Sequence, residues 1–168
     1  MTDSREGLEQ PGEADSGPRE SSDREDQTLL GPSDRVPMLR QVVVADVKVL
    51  LPETFGRLFL SELDPPKRSL SIPISLEQAG IIAGILSGKG APRPMTGDLL
   101  CDIMAAFDLS VEVVQITGRS EGVYLGQVTV VGASGRPKMF PCRPSDGVIV
   151  ALGQALPVPI LVDESLLG

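Results

Sequence analysis

Pro141-Cys142-Arg143-Pro144-Ser145-Asp146-Gly147-Val148-Ile149-Val150-Ala151-Leu152 reads as the end of a strand, a rigid turn and the start of a buried helix. Pro144 fixes its own φ and pushes Arg143 out of the helical region. Ser145 is the natural N-cap, because its hydroxyl can accept an orphan amide hydrogen of the first turn. Asp146 stands where the positive end of a helix dipole favours a carboxylate. The apolar run Val148–Leu152 then anchors the helix in a core. The same grammar stands upstream in Arg93-Pro94-Met95-Thr96-Gly97-Asp98-Leu99-Leu100, where an Arg-Pro again leads into a hydroxyl, an aspartate and an apolar helix. Two helix starts, each beside an arginine, are the features to explain.

Working outward, the region from Gln41 is rich in β-branched residues. Val42 to Leu51 reads as a strand, about Arg57 to Leu63 as a second, and Ser69 to Ile74 as a third whose Leu70, Ile72 and Ile74 alternate onto one face. Leu76 to Leu86 reads as a helix stopped near Gly88. A second helix, about Thr96 to Phe107, carries Leu99, Leu100, Ile103, Met104 and Phe107 as its apolar stripe, which implies a core-facing side. Strands follow at Val111–Thr117, Val123–Val131 and Lys138–Arg143, then the helix after Pro144 and a last strand at Pro159–Val162. Strands one to three plus the first helix match strands four to six plus the last helix. The expected fold is therefore α+β: a duplicated three-strand-plus-helix unit forming a mostly antiparallel sheet packed with helices.

Charge is concentrated at one end. Residues 1–35 carry ten acids against four arginines, net −6, while residues 36–168 carry thirteen acids against eleven bases, net −2. The first stretch is nearly empty of apolar residues and is expected to be a disordered acidic tail, leaving 36–168 as the folded domain. A near-neutral domain lacks the basic excess of a nucleic-acid packaging protein. No apolar run approaches the roughly 20 residues that span a bilayer, and no signal peptide is visible, so no membrane role is expected and a cytoplasmic protein with two reduced thiols is the simplest reading. Cys142 stands beside Arg143, whose charge favours a somewhat lowered thiol pKa, but a lone thiol without a base is more often inert. The absence of histidine from the whole chain removes the commonest general base.

From about residue 41 onward the sequence resembles the bifunctional nuclease family of bacteria and plants. The residues that carry the resemblance are Ile72-Pro73-Ile74 before a helix, Arg93-Pro94-Met95-Thr96-Gly97-Asp98-Leu99-Leu100, Cys142-Arg143-Pro144-Ser145-Asp146-Gly147, and Pro159-Ile160-Leu161-Val162. The resemblance implies a duplicated α+β fold, homo-oligomers, and cleavage of both DNA and RNA. Two positions depart from the family pattern: Gly97 stands where a histidine is usual, and Pro141-Cys142 where Asp-Ala is usual.

Phosphodiester hydrolysis needs an activated water and neutralised phosphate charge, which carboxylates holding a divalent ion can supply without histidine. Asp98 and Asp102 are four apart on one helix, so both can reach one ion, and oxygen ligands suit Mg²⁺ or Mn²⁺. Asp146 joins them as a catalytic candidate if the two Arg-Pro motifs meet in space. Arg93 and Arg143 can hold phosphate oxygens, and Thr96 and Ser145 with the helix-start amides can complete an anion site. Each has a structural reading too: dipole compensation for Asp98 and Asp146, a solvated face for Asp102, caps for Thr96 and Ser145, and turn-locking ion pairs for the arginines. The expected function is a nuclease acting on DNA or RNA. The alternative is a non-catalytic relative that binds an anionic ligand or a protein partner through the two arginine-flanked helix starts.

Overall fold

A computed structural model describes residues 37–49 and 52–168 of the chain. The stretch expected to be a disordered tail, 1–35, lies outside them. The elements in chain order are β1 (Leu39–Val49), β2 (Phe55–Glu62), β3 (Ser69–Ser75), α1 (Leu76–Leu86), α2 (Thr96–Ala106), β4 (Ser110–Ser120), β5 (Val123–Val131), β6 (Lys138–Cys142), α3 (Pro144–Leu152) and β7 (Ile160–Asp163), followed by a 3-10 turn at Glu164–Leu166.

The seven strands form one sheet in the order β3-β2-β1-β7-β4-β5-β6. Two three-strand meanders, each running into a helix, therefore flank the last strand. β7 is antiparallel to β1 and parallel to β4, so β1 and β4 run in opposite directions on its two sides. That is the arrangement expected of two copies of one unit related by a rotation through β7. Every other pairing is antiparallel, which makes the sheet α+β in class rather than doubly wound.

The period-2 alternation of β2 sets which face is covered. Leu58 and Leu60 are fully buried, while Phe55, Arg57 and Phe59 on the alternate positions are only half-buried. α1 lies against β1, β2 and β3; α3 lies against β4 and β5; and the two helices touch each other. The core is thus a single layer of aliphatic side chains between one sheet face and two helices, including Ile72, Ile82, Val114, Ile116, Val148 and Val162. Close approach makes it possible: a Cβ on Gly147 of α3 would sit 2.8 Å from Val114 of β4.

A buried carboxylate closes one end of this core. Glu62 is 3 % exposed and accepts hydrogen bonds from Arg68 Nη2 at 2.8 Å, Arg68 Nε at 3.1 Å, the Arg68 amide at 2.9 Å and Arg40 Nε at 2.9 Å. Arg68 also donates to Glu164 at 2.9 Å. The cluster ties β1, β2 and the C-terminal turn together. Hydrogen bonds from Arg68 outweigh the burial cost and hold the Glu62 carboxyl down to about 2.

α2 departs from the sequence expectation. Of its apolar residues only Met104 is buried; Leu99, Leu100, Ile103 and Phe107 are 56, 44, 47 and 73 % exposed. The helix rests on α3 through Gly97 and Cys101. At 100° per residue the four exposed side chains fall on the flank beside that contact, not on it. Periodicity marked the helix as amphipathic, but the intended stripe does not face this chain's own core.

Candidate functional site

The starts of α1 and α3 converge where the two repeats meet. α1 begins with Ser75 as N-cap, its hydroxyl accepting from the Gln78 amide at 3.2 Å. α3 begins with Arg143 as N-cap and Pro144 in the first helical position, where a missing N–H costs nothing. The third helical residues of the two helices, Gln78 and Asp146, then bond to each other: Gln78 Nε2 donates to Asp146 Oδ1 at 2.7 Å. Arg143 closes on the same carboxylate, with Nε 2.6 Å from Oδ2 and Nη2 3.0 Å from Oδ1. Asp146 therefore has both oxygens engaged, and the pair holds Arg143 more firmly protonated than usual. Ser145 is 3 % exposed and lies inside α3, not at its cap.

The second arginine-flanked start is built differently. Met95 occupies the N-cap of α2 and Thr96 is the first helical residue, so neither hydroxyl expected to cap a helix does so. Asp98 reaches back to accept from the Met95 amide through Oδ2 at 2.8 Å. Among the described residues its other oxygen accepts from nothing. Arg93 and Asp102 are exposed and form no ion pair among the described residues.

Between α1 and the start of α2 lies an open groove of about 310 Å³. Asp98 lines it from α2, Glu77 from the first turn of α1, and Lys89 from the connecting loop; its floor includes Gly80 and Gly84 of α1. Asp146 and Asp102 do not line it. The expected trio of aspartates is thus divided: Asp98 is brought together with Glu77 and Lys89, and Asp146 with Gln78 and Arg143. Sequence reading passed over Glu77, Gln78 and Lys89. The pattern Ser75-Leu76-Glu77-Gln78 is a capping signature that marked Gln78 as a helix-start residue, whereas nothing local to Glu77 or Lys89 signalled a groove.

Among the described residues no group of three or more Cys, Asp or Glu side chains is placed to hold a metal ion. The two groove carboxylates fit only an ion of the Mg²⁺ type, which takes one or two carboxylates and fills its shell with water and phosphate oxygens. Neither thiol is activated. Burial pushes Cys142 up, and Asp146 pushes it further, so the neighbouring Arg143 does not lower it; burial raises Cys101 as well.

The model of the bifunctional nuclease domain matches residues 58–168, from the middle of β2 to the end of the chain. The chain belongs to the bifunctional nuclease domain family. Two relatives from Mycobacterium tuberculosis, the uncharacterized proteins MT1877 of strain CDC 1551 / Oshkosh and Rv1829 of strain ATCC 25618 / H37Rv, are each similar at 34 % identity over 128 residues, covering 76 % of this chain and 74 % of theirs.

The two departures from the family pattern now have a structural meaning. In this bifunctional nuclease domain, a Cβ on Gly97 would lie 2.6 Å from Ile149 Cγ2. The place usual for a histidine is closed by a buried isoleucine of α3. Cys142 packs its sulfur against α3, 3.3 Å from where a Gly147 Cβ would stand. Both substituted positions serve the seat of α3 on its neighbours.

Proposed function

We propose that the chain is a nuclease that hydrolyses phosphodiester bonds of DNA or RNA in the groove between α1 and α2. The observation that carries the reading is the meeting of Asp98 and Glu77 with Lys89 in one open groove, in a chain of a family named for nuclease activity. Asp98 and Glu77 would hold Mg²⁺ or Mn²⁺, whose contribution is to neutralise phosphate charge and acidify a water. Lys89 takes a non-bridging phosphate oxygen, and Arg93, on the same loop and unpaired among the described residues, meets the backbone at the rim. The Glu77 oxygen not bound to the ion would accept the proton of the attacking water in place of the missing histidine. Asp146 and Arg143 neutralise each other and hold the two repeats in register; they take no part in the chemistry. Cleavage that appears on adding Mg²⁺ or Mn²⁺, disappears on chelation and returns on re-addition is the expected result. Cleavage indifferent to chelation rejects the ion.

A second reading is favoured by the bare flank of α2. Four apolar side chains on one stripe are what a protein interface requires, and a homo-oligomer is the partner we propose for it. Light scattering should then report more than one chain per particle, and Ile103→Asp should reduce it to one. Among the described residues no helix is long and apolar enough to cross a membrane.

A further inference from the structure

Gly80 sits in the middle of α1, where glycine costs about 1 kcal/mol relative to alanine. Close packing elsewhere in the molecule explains such a choice, but not here. A Cβ on Gly80 would meet no atom within 4 Å. Gly84, one turn further on, is different: its Cβ would lie 3.1 Å from the Lys89 carbonyl, and its own carbonyl accepts from the Lys89 amide at 2.9 Å. The loop's return accounts for Gly84, and nothing among the described residues accounts for Gly80.

Both glycines face the groove and leave it a floor of bare helix backbone. Its walls are apolar, with Ile81 and Ile85 on the α1 side and Met95 at the start of α2. Its charged members are Glu77, Asp98 and Lys89. A slot with a flat floor and aliphatic and thioether walls suits the face of a flat ring. The volume of about 310 Å³ stands at the low end of the roughly 300–1,000 Å³ of small-molecule sites, enough for one nucleotide. A base stacked and paired inside a duplex cannot enter such a slot without being extruded.

We infer that the groove takes one unstacked nucleotide, its base lying on the Gly80 floor and its phosphate turned to Lys89, so that the chain selects single-stranded over double-stranded nucleic acid. This rests on the groove being the substrate site proposed above, and it adds the form of the substrate. Gly80 is the residue that makes room for the base.

The test measures binding apart from cleavage, by fluorescence anisotropy in chelator with the full chain. The probes are a labelled twelve-nucleotide mixed-sequence strand and the same sequence locked in a hairpin duplex. Single-strand binding at least about tenfold tighter than duplex binding is expected, because a duplex must first unpair and unstack the base before it can enter the slot. Gly80→Leu fills the floor; a Cβ there meets none of the described residues and leucine favours helix, so the variant should melt higher while binding the single strand at least about tenfold more weakly. Lys89→Ala should weaken binding at both probes. Equal affinity for strand and duplex, or a folded Gly80→Leu protein that binds the strand unchanged, overturns the inference. If metal-dependent cleavage persists in that variant, the nuclease reading survives while the base slot falls. If the strand binds and Gly80→Leu abolishes it, but no cleavage occurs under any metal, the slot stands and the nuclease reading falls.

Discussion

Asp146 is the residue whose role separates structure from chemistry most sharply. Its carboxylate takes a 2.7 Å bond from Gln78, a side chain 7 % exposed, and a two-point contact from Arg143. Replacing it by alanine strands the Gln78 amide in a buried site, and losing a hydrogen bond to a charged acceptor costs about 1.5–3 kcal/mol. The Arg143 pair adds little, about 0–1 kcal/mol, because that guanidinium is 72 % exposed. Loss of a carboxylate from the first turn of α3 adds about 0.3–1 kcal/mol. Asp146→Ala should therefore destabilise the fold by about 2–4 kcal/mol, Arg143→Ala by less than about 1 kcal/mol. A double-mutant cycle of Gln78→Ala with Asp146→Ala should return a coupling of about 1.5–2 kcal/mol. Urea unfolding followed by circular dichroism measures all of these, with unchanged m-values showing that the transitions remain comparable. Asp146→Asn keeps an acceptor for Gln78 and should leave nuclease turnover within a few-fold of the unchanged protein. A normal melting curve for Asp146→Ala together with abolished cleavage would refute the reasoning, because the carboxylate would then be serving the reaction and not the junction of the repeats.

Two further expectations follow from neighbouring geometry. Glu62 has its folded pKa held down to about 2 from the ordinary 4.5, so the unfolded chain binds the extra proton between those values; its stabilising contribution is complete above pH about 4.5 and is lost as pH falls toward 2. Melting temperatures from pH 7 to 2 should drop through that window, and Glu62→Gln should lower the neutral-pH value and flatten the drop; an unchanged acid profile in the variant would assign the transition to other carboxylates. Gly97→Ala places a Cβ 2.6 Å from Ile149 and should cost about 1–3 kcal/mol by overpacking, with Ile149→Val recovering part of it in the double variant; additive losses in urea melts would mean the two positions do not press on each other.

Much of the fold was legible because its signals are local. Alternation at Leu70, Ile72 and Ile74 fixed β3 and its inward face, and Pro144 marked the turn into α3 to within two residues. The duplication was readable as an order of elements. The insertion of β7 between the halves was not, since its pairing with β1 and β4 joins residues far apart in sequence. The site was harder for the same reason. Asp98 could be singled out from its motif, yet whether it meets Asp146 or Glu77 depends on how α2 crosses α1 and α3, which no spacing along α2 encodes. The stripe of Leu99, Leu100, Ile103 and Phe107 shows the limit of periodicity: it identifies an apolar face without saying what covers it. The capping residues were misplaced by one or two positions because Arg-Pro and Met-Thr sequences permit more than one helix start.

The most direct test of the groove as the catalytic site compares cleavage of labelled single-stranded RNA and DNA by the unchanged protein and by the Asp98→Asn/Glu77→Gln double variant, with Mn²⁺ or Mg²⁺ present. Asn at 98 still accepts from the Met95 amide, so the variant should melt normally. The account predicts metal-dependent cleavage by the unchanged protein and a loss of at least about 100-fold in the folded variant, as removing charge stabilisation of the reacting phosphate implies. Equal cleavage by the two proteins would contradict it and move the chemistry out of the groove.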